Sequence, residues 1–184
     1  MSKIYLDLKL PSRIARLEEL AYNLWWSWQP EARELFRALD YPLWRLSNHN
    51  PVKQLHQVSF DRLRAVADDP AFLKLYDTMI ARFDGEVAAP TCWTATKHPQ
   101  LLANPIAYFS PEFALHLSLP IYAGGLGILA GDFCKEASDV GLKLIAVGFM
   151  HPQGYFHQHI SAQGWQEEIY EWTNFSEIPV RPVL

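Results

Sequence analysis

The first 85 residues place apolar side chains at helical spacing. A stripe with a period of 3.6 residues covers positions 14–28, and Ser12 stands before it as the predicted N-cap. Gly85 follows the last stripe and is the predicted helix stop. The pattern predicts an all-helical N-terminal domain over residues 1–85. Three of its helices are predicted to begin at a proline, where a missing N–H costs no hydrogen bond: Pro30, Pro51 and Pro70.

The pattern changes after this helical stretch. Residues 86–104 have no periodicity and contain two prolines, which predicts a linker. A short apolar strand at 106–109, a glycine-led helix that stops at Gly141, and an apolar run at 142–150 follow. The last run is nearly continuous, which is typical of a parallel strand covered on both faces. The sequence therefore predicts a βαβ unit, followed by a hairpin near the end of the chain.

Two parallel strands do not make a covered sheet by themselves. We therefore expect residues 105–184 to be the beginning of a larger, Rossmann-like lobe, and the chain to be an N-terminal fragment. The fold class is α/β.

Composition and charge exclude several classes of protein. Sixteen basic and twenty acidic residues give a net charge of −4, with no basic block that would favour binding to nucleic acid or a membrane surface. The longest apolar stretch is interrupted by Lys143 and is too short to span a bilayer. Cys92 and Cys134 form neither a disulfide framework nor a CxxC metal knuckle. Without a signal-like apolar segment at the N-terminus, we expect a cytoplasmic protein.

A glycine-rich turn is the main candidate site. Gly124, Gly125, Leu126 and Gly127 stand at a strand-to-helix turn, where free backbone N–H groups and the helix dipole favour an anion. The alternative is a tight turn packed against the sheet. The run also fits the G-x-G-x-x-A dinucleotide fingerprint, but residues 140–166 contain no acidic residue for a ribose. A nicotinamide cofactor is therefore not expected.

Other candidate residues have weaker patterns. Glu112 follows the first strand, where ligands bind in open α/β sheets; the alternative is a glutamate at a helix N-terminus after proline. His157 and His159 alternate on a strand with His151 nearby, but no carboxylate or cysteine at a supporting spacing joins them, so no metal is expected. Three tryptophans at helical spacing favour core packing over sugar stacking: Trp25, Trp26 and Trp28.

Two long stretches resemble a known family. The sequence AYFSPEFALHLSLPIYAGGLGILAGDFCKEASDVGLKLIAVGFMHPQGYFHQHI, with GWQEE after it, resembles the start of the catalytic region of α-glucan (glycogen, maltodextrin) phosphorylases. The preceding LPSRIARLEELAYNLWWSWQPEARELFRALD resembles the helical N-terminal domain of the short bacterial and archaeal type. The resemblance covers almost the whole chain. It implies a GT-B glycosyltransferase, with the active site between two Rossmann-like lobes.

The resemblance also implies the chemistry. The reaction would convert α-glucan and inorganic phosphate into a shorter glucan and α-glucose 1-phosphate, with retention. Pyridoxal 5′-phosphate would form a Schiff base with a lysine outside this chain, and its phosphate would assist the substrate phosphate. The residues Gly124, Gly125, Leu126 and Gly127 would face the glucosyl and phosphate groups, and Glu112 would be a cleft glutamate. No histidine of this chain matches the catalytic histidine. Because half of the site between the lobes would be missing, we expect the chain alone to be inactive.

Four positions depart from the family pattern. Ala114, Leu117, Phe133 and His157 stand where the family usually has Gly, Glu, His and Arg, which leaves the substrate preference open. Two alternatives also stay open: a nucleotide-sugar glucosyltransferase, which has the same glycine loop without pyridoxal phosphate, and a non-catalytic carbohydrate-binding module. The sequence does not give the glucan length preference or the regulation, and it leaves a homo-oligomer open.

Overall fold

A computed structural model describes residues 9–88 and 91–183. The chain divides into two compact units. The first, the helical unit, contains the described residues up to Ala88 together with 116–118 and 174–183. The second, the α/β unit, contains the described residues of 89–115 and 119–173. The division of the chain into domains at residues 85 and 104 stays a prediction.

The helical unit consists of five short α-helices and one long one, Pro70–Ala88, within the described residues. Two 3₁₀ turns, Ser12–Ile14 and Leu24–Trp28, flank its first α-helix. Within the described residues its α-helices are α1 (Leu17–Tyr22), α2 (Pro30–Leu39), α3 (Tyr41–Leu46), α4 (Pro51–Gln57), α5 (Phe60–Ala67) and α6 (Pro70–Ala88).

The prediction that Ser12 caps a helix is wrong. Ser12 opens a 3₁₀ turn, and no side chain caps that turn. The predicted stripe is divided because Asn23 has extended backbone angles at the end of α1. Its side chain instead accepts a 3.0 Å hydrogen bond from the Trp25 N–H. Asparagine competes in this way with helical hydrogen bonding, so the helix ends where the side-chain bond begins.

The three predicted proline starts are confirmed. Pro30, Pro51 and Pro70 are the first residues of α2, α4 and α6. Before two of them a short polar side chain caps the helix. Asn50 Oδ1 accepts from the Lys53 N–H at 3.1 Å, and Asp69 Oδ1 accepts from the Ala71 N–H at 2.8 Å. Each cap satisfies a backbone donor that the first helical turn leaves free.

Gly85 is not the end of a helix. Helix α6 passes through it and continues to Ala88. One residue further, Glu86 accepts a hydrogen bond from the Trp25 indole and forms a 2.8 Å ion pair with Arg82. These contacts of Glu86 stabilise the last turn of α6. They offset the loss of about 1 kcal/mol in helix stability that a glycine inside a helix causes. The predicted linker also contains structure: α7 (Trp93–Lys97) and the 3₁₀ turn Pro99–Leu102.

The tryptophans of the helical unit pack in its core, as predicted. Trp25 and Trp26 are buried, and Trp28 packs against the same cluster. The Trp26 ring meets the Phe36 ring edge-on, with centroids 5.7 Å apart. The Trp44 ring stacks on Phe36 at 6.0 Å. Such pairs add to the stabilisation that comes from burial alone.

The α/β unit contains the predicted βαβ arrangement. Strand β1 (Ile106–Phe109) pairs in parallel with β2 (Leu144–Val147), and helix α8 (Gly125–Asp139) connects them. Gly141 ends the helix as predicted, with a φ of +70°. The backbone N–H after it, that of Leu142, donates to the Ala137 carbonyl at 2.8 Å, as in a Schellman motif. The predicted hairpin is also present as β3 (His157–Ile160) and β4 (Gln166–Ile169), which pair antiparallel.

The prediction that the second parallel strand is covered on both faces is wrong for the described residues. The strand is shorter than the apolar run, and Ile145 on it is 53% exposed. Phe109 on β1 is 73% exposed. Helix α8 packs against β2, and one helix does not cover both faces of a two-stranded sheet. No helix in the described part of the chain has the length and apolar character to cross a membrane.

Candidate functional site

The glycine-rich turn of residues 124–127, called the glycine loop from here on, lies at the first turn of α8. Gly124 precedes the helix with extended backbone angles, and its carbonyl accepts from the N–H groups of Gly127 and Ile128 at 3.1 and 3.3 Å. The N–H groups of Gly125 and Leu126 have no hydrogen-bond partner among the described residues. These two donors lie at the positive end of a helix dipole, so they are the available part of the predicted anion site.

The other donors of the loop are occupied by the chain itself. Glu112 Oε2 accepts from the backbone N–H of Ala123 and, at 3.1 Å, from that of Gly124. The Ala123 and then the Gly124 hydrogen bond lower the pKa of the Glu112 carboxyl, against a smaller opposing effect of burial. Residues 110–113 are not helical, so the alternative of a glutamate at its own helix N-terminus is wrong. Glu112 instead caps α8 from a distant loop.

The glycines at this turn divide into two kinds. A Cβ added at Gly124 or Gly125 would meet nothing within 4 Å. A Cβ at Gly127 would lie 2.7 Å from Tyr122 Cβ, and one at Gly131 would lie 2.7 Å from the Ala114 carbonyl carbon. Gly124 and Gly125 therefore leave open space beside the turn. Gly127 allows the Tyr122 and Glu112 side chains to approach α8 closely, and Gly131, further along the helix, allows the Ala114 backbone to do so. The tight packed turn, which was the alternative, therefore applies at Gly127, and the anion site at this turn stays a prediction.

Two of the family departures lie beside this helix. Ala114 is buried, and its N–H donates to the Gly127 carbonyl at 2.8 Å. The Phe133 ring lies 4.9 Å from the Tyr108 ring and is 48% exposed. At the position where the resemblance leads us to expect a polar histidine, this chain has an aromatic contact with β1. The other two departures, Leu117 and His157, are exposed.

Two of the histidines considered as metal ligands, for which no metal is expected, lie on an exposed strand. His157 and His159 lie on β3, and His157 Nε2 is 3.9 Å from Glu171 Oε2. His159 is paired in register with Glu167. Among residues 9–88 and 91–183, no group of three or more His, Cys, Asp or Glu side chains is arranged to hold a metal ion. The absence of a structural metal stays a prediction.

The lysines of the α/β unit are placed away from the glycine loop. Lys97 is on α7, whose Thr94 N–H donates to the carbonyl of Val140, at the far end of α8. Lys135 lies 3.7 Å from Asp132, in the second half of α8. Lys143 directly precedes β2, at the opposite end of the parallel pair from the loop. The described residues of this unit therefore do not fit a pyridoxal phosphate joined to their own lysine.

A family model described as "Protein of unknown function (DUF3417)" matches residues 10–119, more than half of the chain. The chain belongs to the DUF3417 family. No solved structure matches this DUF3417 chain significantly.

Several longer proteins also match. The chain is 40% identical to the maltodextrin phosphorylase of Thermococcus litoralis, over 95% of the chain and 21% of that protein. It is 42% identical to the glycogen phosphorylase of Aquifex aeolicus, over 91% of the chain and 23% of that protein. It is also 42% identical to the glycogen phosphorylase of Mycobacterium tuberculosis strain H37Rv, over 94% of the chain and 20% of that protein. The chain spans about a fifth of the length of the curated relatives it matches.

Two features of the site were not predicted from the sequence. The first is the reach of Glu112 to the Ala123 and Gly124 N–H groups, which joins positions more than ten residues apart. The second is the packing role of Gly131. The sequence does contain a signal for the packing role of Gly131, because Gly127 and Gly131 are four residues apart and therefore lie on the same face of the helix. Small residues at that spacing indicate close approach of another backbone.

Proposed function

We propose that this DUF3417 chain is part of an α-glucan phosphorylase. The enzyme would transfer a glucosyl group from an α-1,4-glucan to inorganic phosphate and release α-glucose 1-phosphate, with retention. The observation that supports this most is the 40–42% identity to proteins named maltodextrin or glycogen phosphorylase over at least 91% of the chain. The names of these relatives favour a phosphorylase over a nucleotide-sugar glucosyltransferase or a carbohydrate-binding module.

We assign the substrate-facing role to the glycine loop. The free N–H groups of Gly125 and Leu126 would donate to an oxygen of the bound glucosyl or phosphate group. Gly124 and Gly125 would leave room for that group, because no neighbouring atom occupies the space where a side chain would be. Glu112 would hold the loop in this shape by its hydrogen bonds to the Ala123 and Gly124 N–H groups. Gly127 would keep α8 close to the loop.

The cofactor expected for such an enzyme would be held elsewhere. Pyridoxal 5′-phosphate would supply a phosphate group that assists the substrate phosphate, and its lysine would come from outside this chain. The residues here would contribute the loop, within a Rossmann-like lobe of a GT-B fold in the cytoplasm. On this proposal the chain alone releases no glucose 1-phosphate.

A chimeric enzyme tests the proposal. The segment of the Thermococcus litoralis maltodextrin phosphorylase that aligns with this chain is replaced by this chain. Release of glucose 1-phosphate from maltoheptaose and phosphate is then measured. We expect an active chimera. A chimera that folds and keeps its melting temperature but has no activity would contradict the proposal.

A pair of glycine variants tests the loop within the same chimera. Gly125→Val places a branched side chain where the ligand would approach, and we expect a loss of about 10²–10³ in kcat, as for other lost transition-state donors. Gly85→Val is the matched control, since a side chain there also meets nothing within 4 Å. We expect near-normal turnover for the control. Equal turnover in the two variants would show that the loop does not face the substrate.

A further inference from the structure

A cavity of about 640 Å³ lies within the helical unit. Helices α2 and α3 and the 3₁₀ turn Leu24–Trp28 contribute most of its lining. This volume is in the range of small-molecule sites in proteins. Three aromatic and three arginine side chains are part of this lining: Trp26, Tyr41, Trp44, Arg33, Arg37 and Arg45.

The aromatic part of the lining is fixed by packing. Trp44 stacks on Phe36 and meets Trp26 edge-on at 5.9 Å. Tyr41 is 48% exposed, and the Arg37 guanidinium lies 5.0 Å from the centre of its ring. Trp26 is fully buried, and its indole N–H has no hydrogen-bond partner among the described residues. The cavity wall therefore includes a rigid aromatic surface and a buried donor that is not satisfied.

The basic part of the lining is only partly neutralised. Glu34 pairs with Arg37 at 3.1 Å, and Glu31 pairs with Arg82 at 3.1 Å. Both acidic residues of the lining are thus occupied by other cations. Arg33 and Arg45 form no ion pair or side-chain hydrogen bond within the described part of the chain. Two guanidinium groups with free donors therefore border an aromatic cavity.

We infer that this cavity binds an organic phosphate, with the phosphoryl group at Arg33 and Arg45 and the organic part against the aromatic rings. Guanidinium groups donate paired hydrogen bonds to phosphate oxygens, and such charge-assisted bonds are stronger than neutral ones. An uncharged glucan would leave both guanidinium groups without a counter-charge. The inference does not depend on the proposed function, because every lining residue belongs to the helical unit.

Calorimetric titration of the chain tests this inference with three probes. Glucose 1-phosphate carries both parts of the ligand, inorganic phosphate carries the anion alone, and maltotriose carries sugar without charge. We expect glucose 1-phosphate to bind more tightly than inorganic phosphate and at least tenfold more tightly than maltotriose. Its binding should weaken as salt is raised and should change the fluorescence of the tryptophans. Tighter binding of maltotriose, or no binding of either phosphate at millimolar concentration, would overturn the inference.

Single variants locate the binding. Arg33→Gln and Arg45→Gln should each weaken glucose 1-phosphate binding about tenfold, and both should keep the melting temperature. Arg64→Gln is the matched control, because Arg64 is also an exposed helical arginine without an ion pair. Gly125→Val, in the glycine loop, is titrated beside them to tell the two places apart. Equal weakening by Arg64→Gln, or a loss confined to Gly125→Val, would contradict a phosphate site in the helical unit.

Discussion

Gly131→Ala tests how closely α8 packs in the α/β unit. The new Cβ would overlap the Ala114 carbonyl oxygen and lie 2.7 Å from its carbonyl carbon. Ordinary van der Waals contact begins at 3.4 Å. The obstacle is backbone, which cannot rotate away as the end of a flexible side chain does. The helix or the loop that contains Ala114 must therefore move.

The expected loss is about 2 kcal/mol in the free energy of unfolding. Overpacking in a tight interior costs about 1–3 kcal/mol, and a backbone obstacle belongs at the upper end. Replacing a mid-helix glycine by alanine returns about 1 kcal/mol of helix propensity. For a protein of this size 1 kcal/mol corresponds to about 2–4 °C, so the melting temperature should fall by about 4–8 °C.

Gly125→Ala is the control for this measurement. It lies in the same helix, but its Cβ would meet nothing within 4 Å. The substitution reduces the freedom of the unfolded chain, so we expect stability to stay equal or to rise by about 0.4–1 kcal/mol. Both variants are melted by circular dichroism beside the parent chain. The reasoning is refuted if Gly131→Ala melts within 1 °C of the parent, or if Gly125→Ala is the less stable of the two.

Three further predictions concern single interactions. Asn50→Ala removes the cap on Lys53 N–H and the 2.7 Å bond to the Glu177 carbonyl, and urea unfolding should show a loss of about 1–2 kcal/mol, with Asn50→Asp losing less. Folding lowers the pKa of the Glu112 carboxyl. Its contribution to the free energy of unfolding is therefore fully present above the unfolded pKa of about 4.3 and is lost as pH falls through the folded pKa. Glu112→Gln should flatten this part of the curve of stability against pH. EDTA should leave the melting temperature unchanged; a large fall would indicate a metal at the histidines.

The elements that the sequence predicted correctly depend on local chemistry. A proline fits the first turn of a helix wherever that helix packs, which is why the starts at Pro30, Pro51 and Pro70 were found. Gly141 was identified as a helix stop because a left-handed residue there strongly favours glycine. The βαβ unit followed from apolar strands on either side of a helical stretch. These signals lie within a few residues of the structure that they specify.

The incorrect predictions have different causes. Gly85 looks like a stop, but Trp25 and Arg82 fix Glu86 beyond it. Ser12 looks like a cap, but Asn23 divides the stripe that it was expected to begin. The apolar run after Gly141 predicted two covered faces, yet the described residues place one helix against β2. Of these contacts only the one between Trp25 and Glu86 joins residues far apart in the sequence, and no local pattern could have shown it.

The candidate site shows the same limit. Its position at the start of α8 could be predicted, because glycines between a strand and a helix are a local signal. The number of loop N–H groups that remain without a hydrogen-bond partner could not be predicted. Of the loop N–H groups, those of Ala123 and Gly124 are taken by Glu112, and that pairing depends on the path of residues 113–122. Only the folded structure shows which of these N–H groups already have a hydrogen-bond partner and which do not.

The electrostatics of the α/β unit restrict what the loop can hold by itself. The described unit has three lysines, no arginine and seven acidic residues, a formal charge of −4. The Glu112 carboxylate already occupies the end of α8, beside the free N–H groups of Gly125 and Leu126. A phosphate on those groups would be repelled by this carboxylate without a lysine nearby to offset it. A neutral glucosyl hydroxyl meets no such repulsion. In the proposed enzyme the loop therefore suits the glucosyl group by itself, and a phosphate at the same place requires cations from outside this unit.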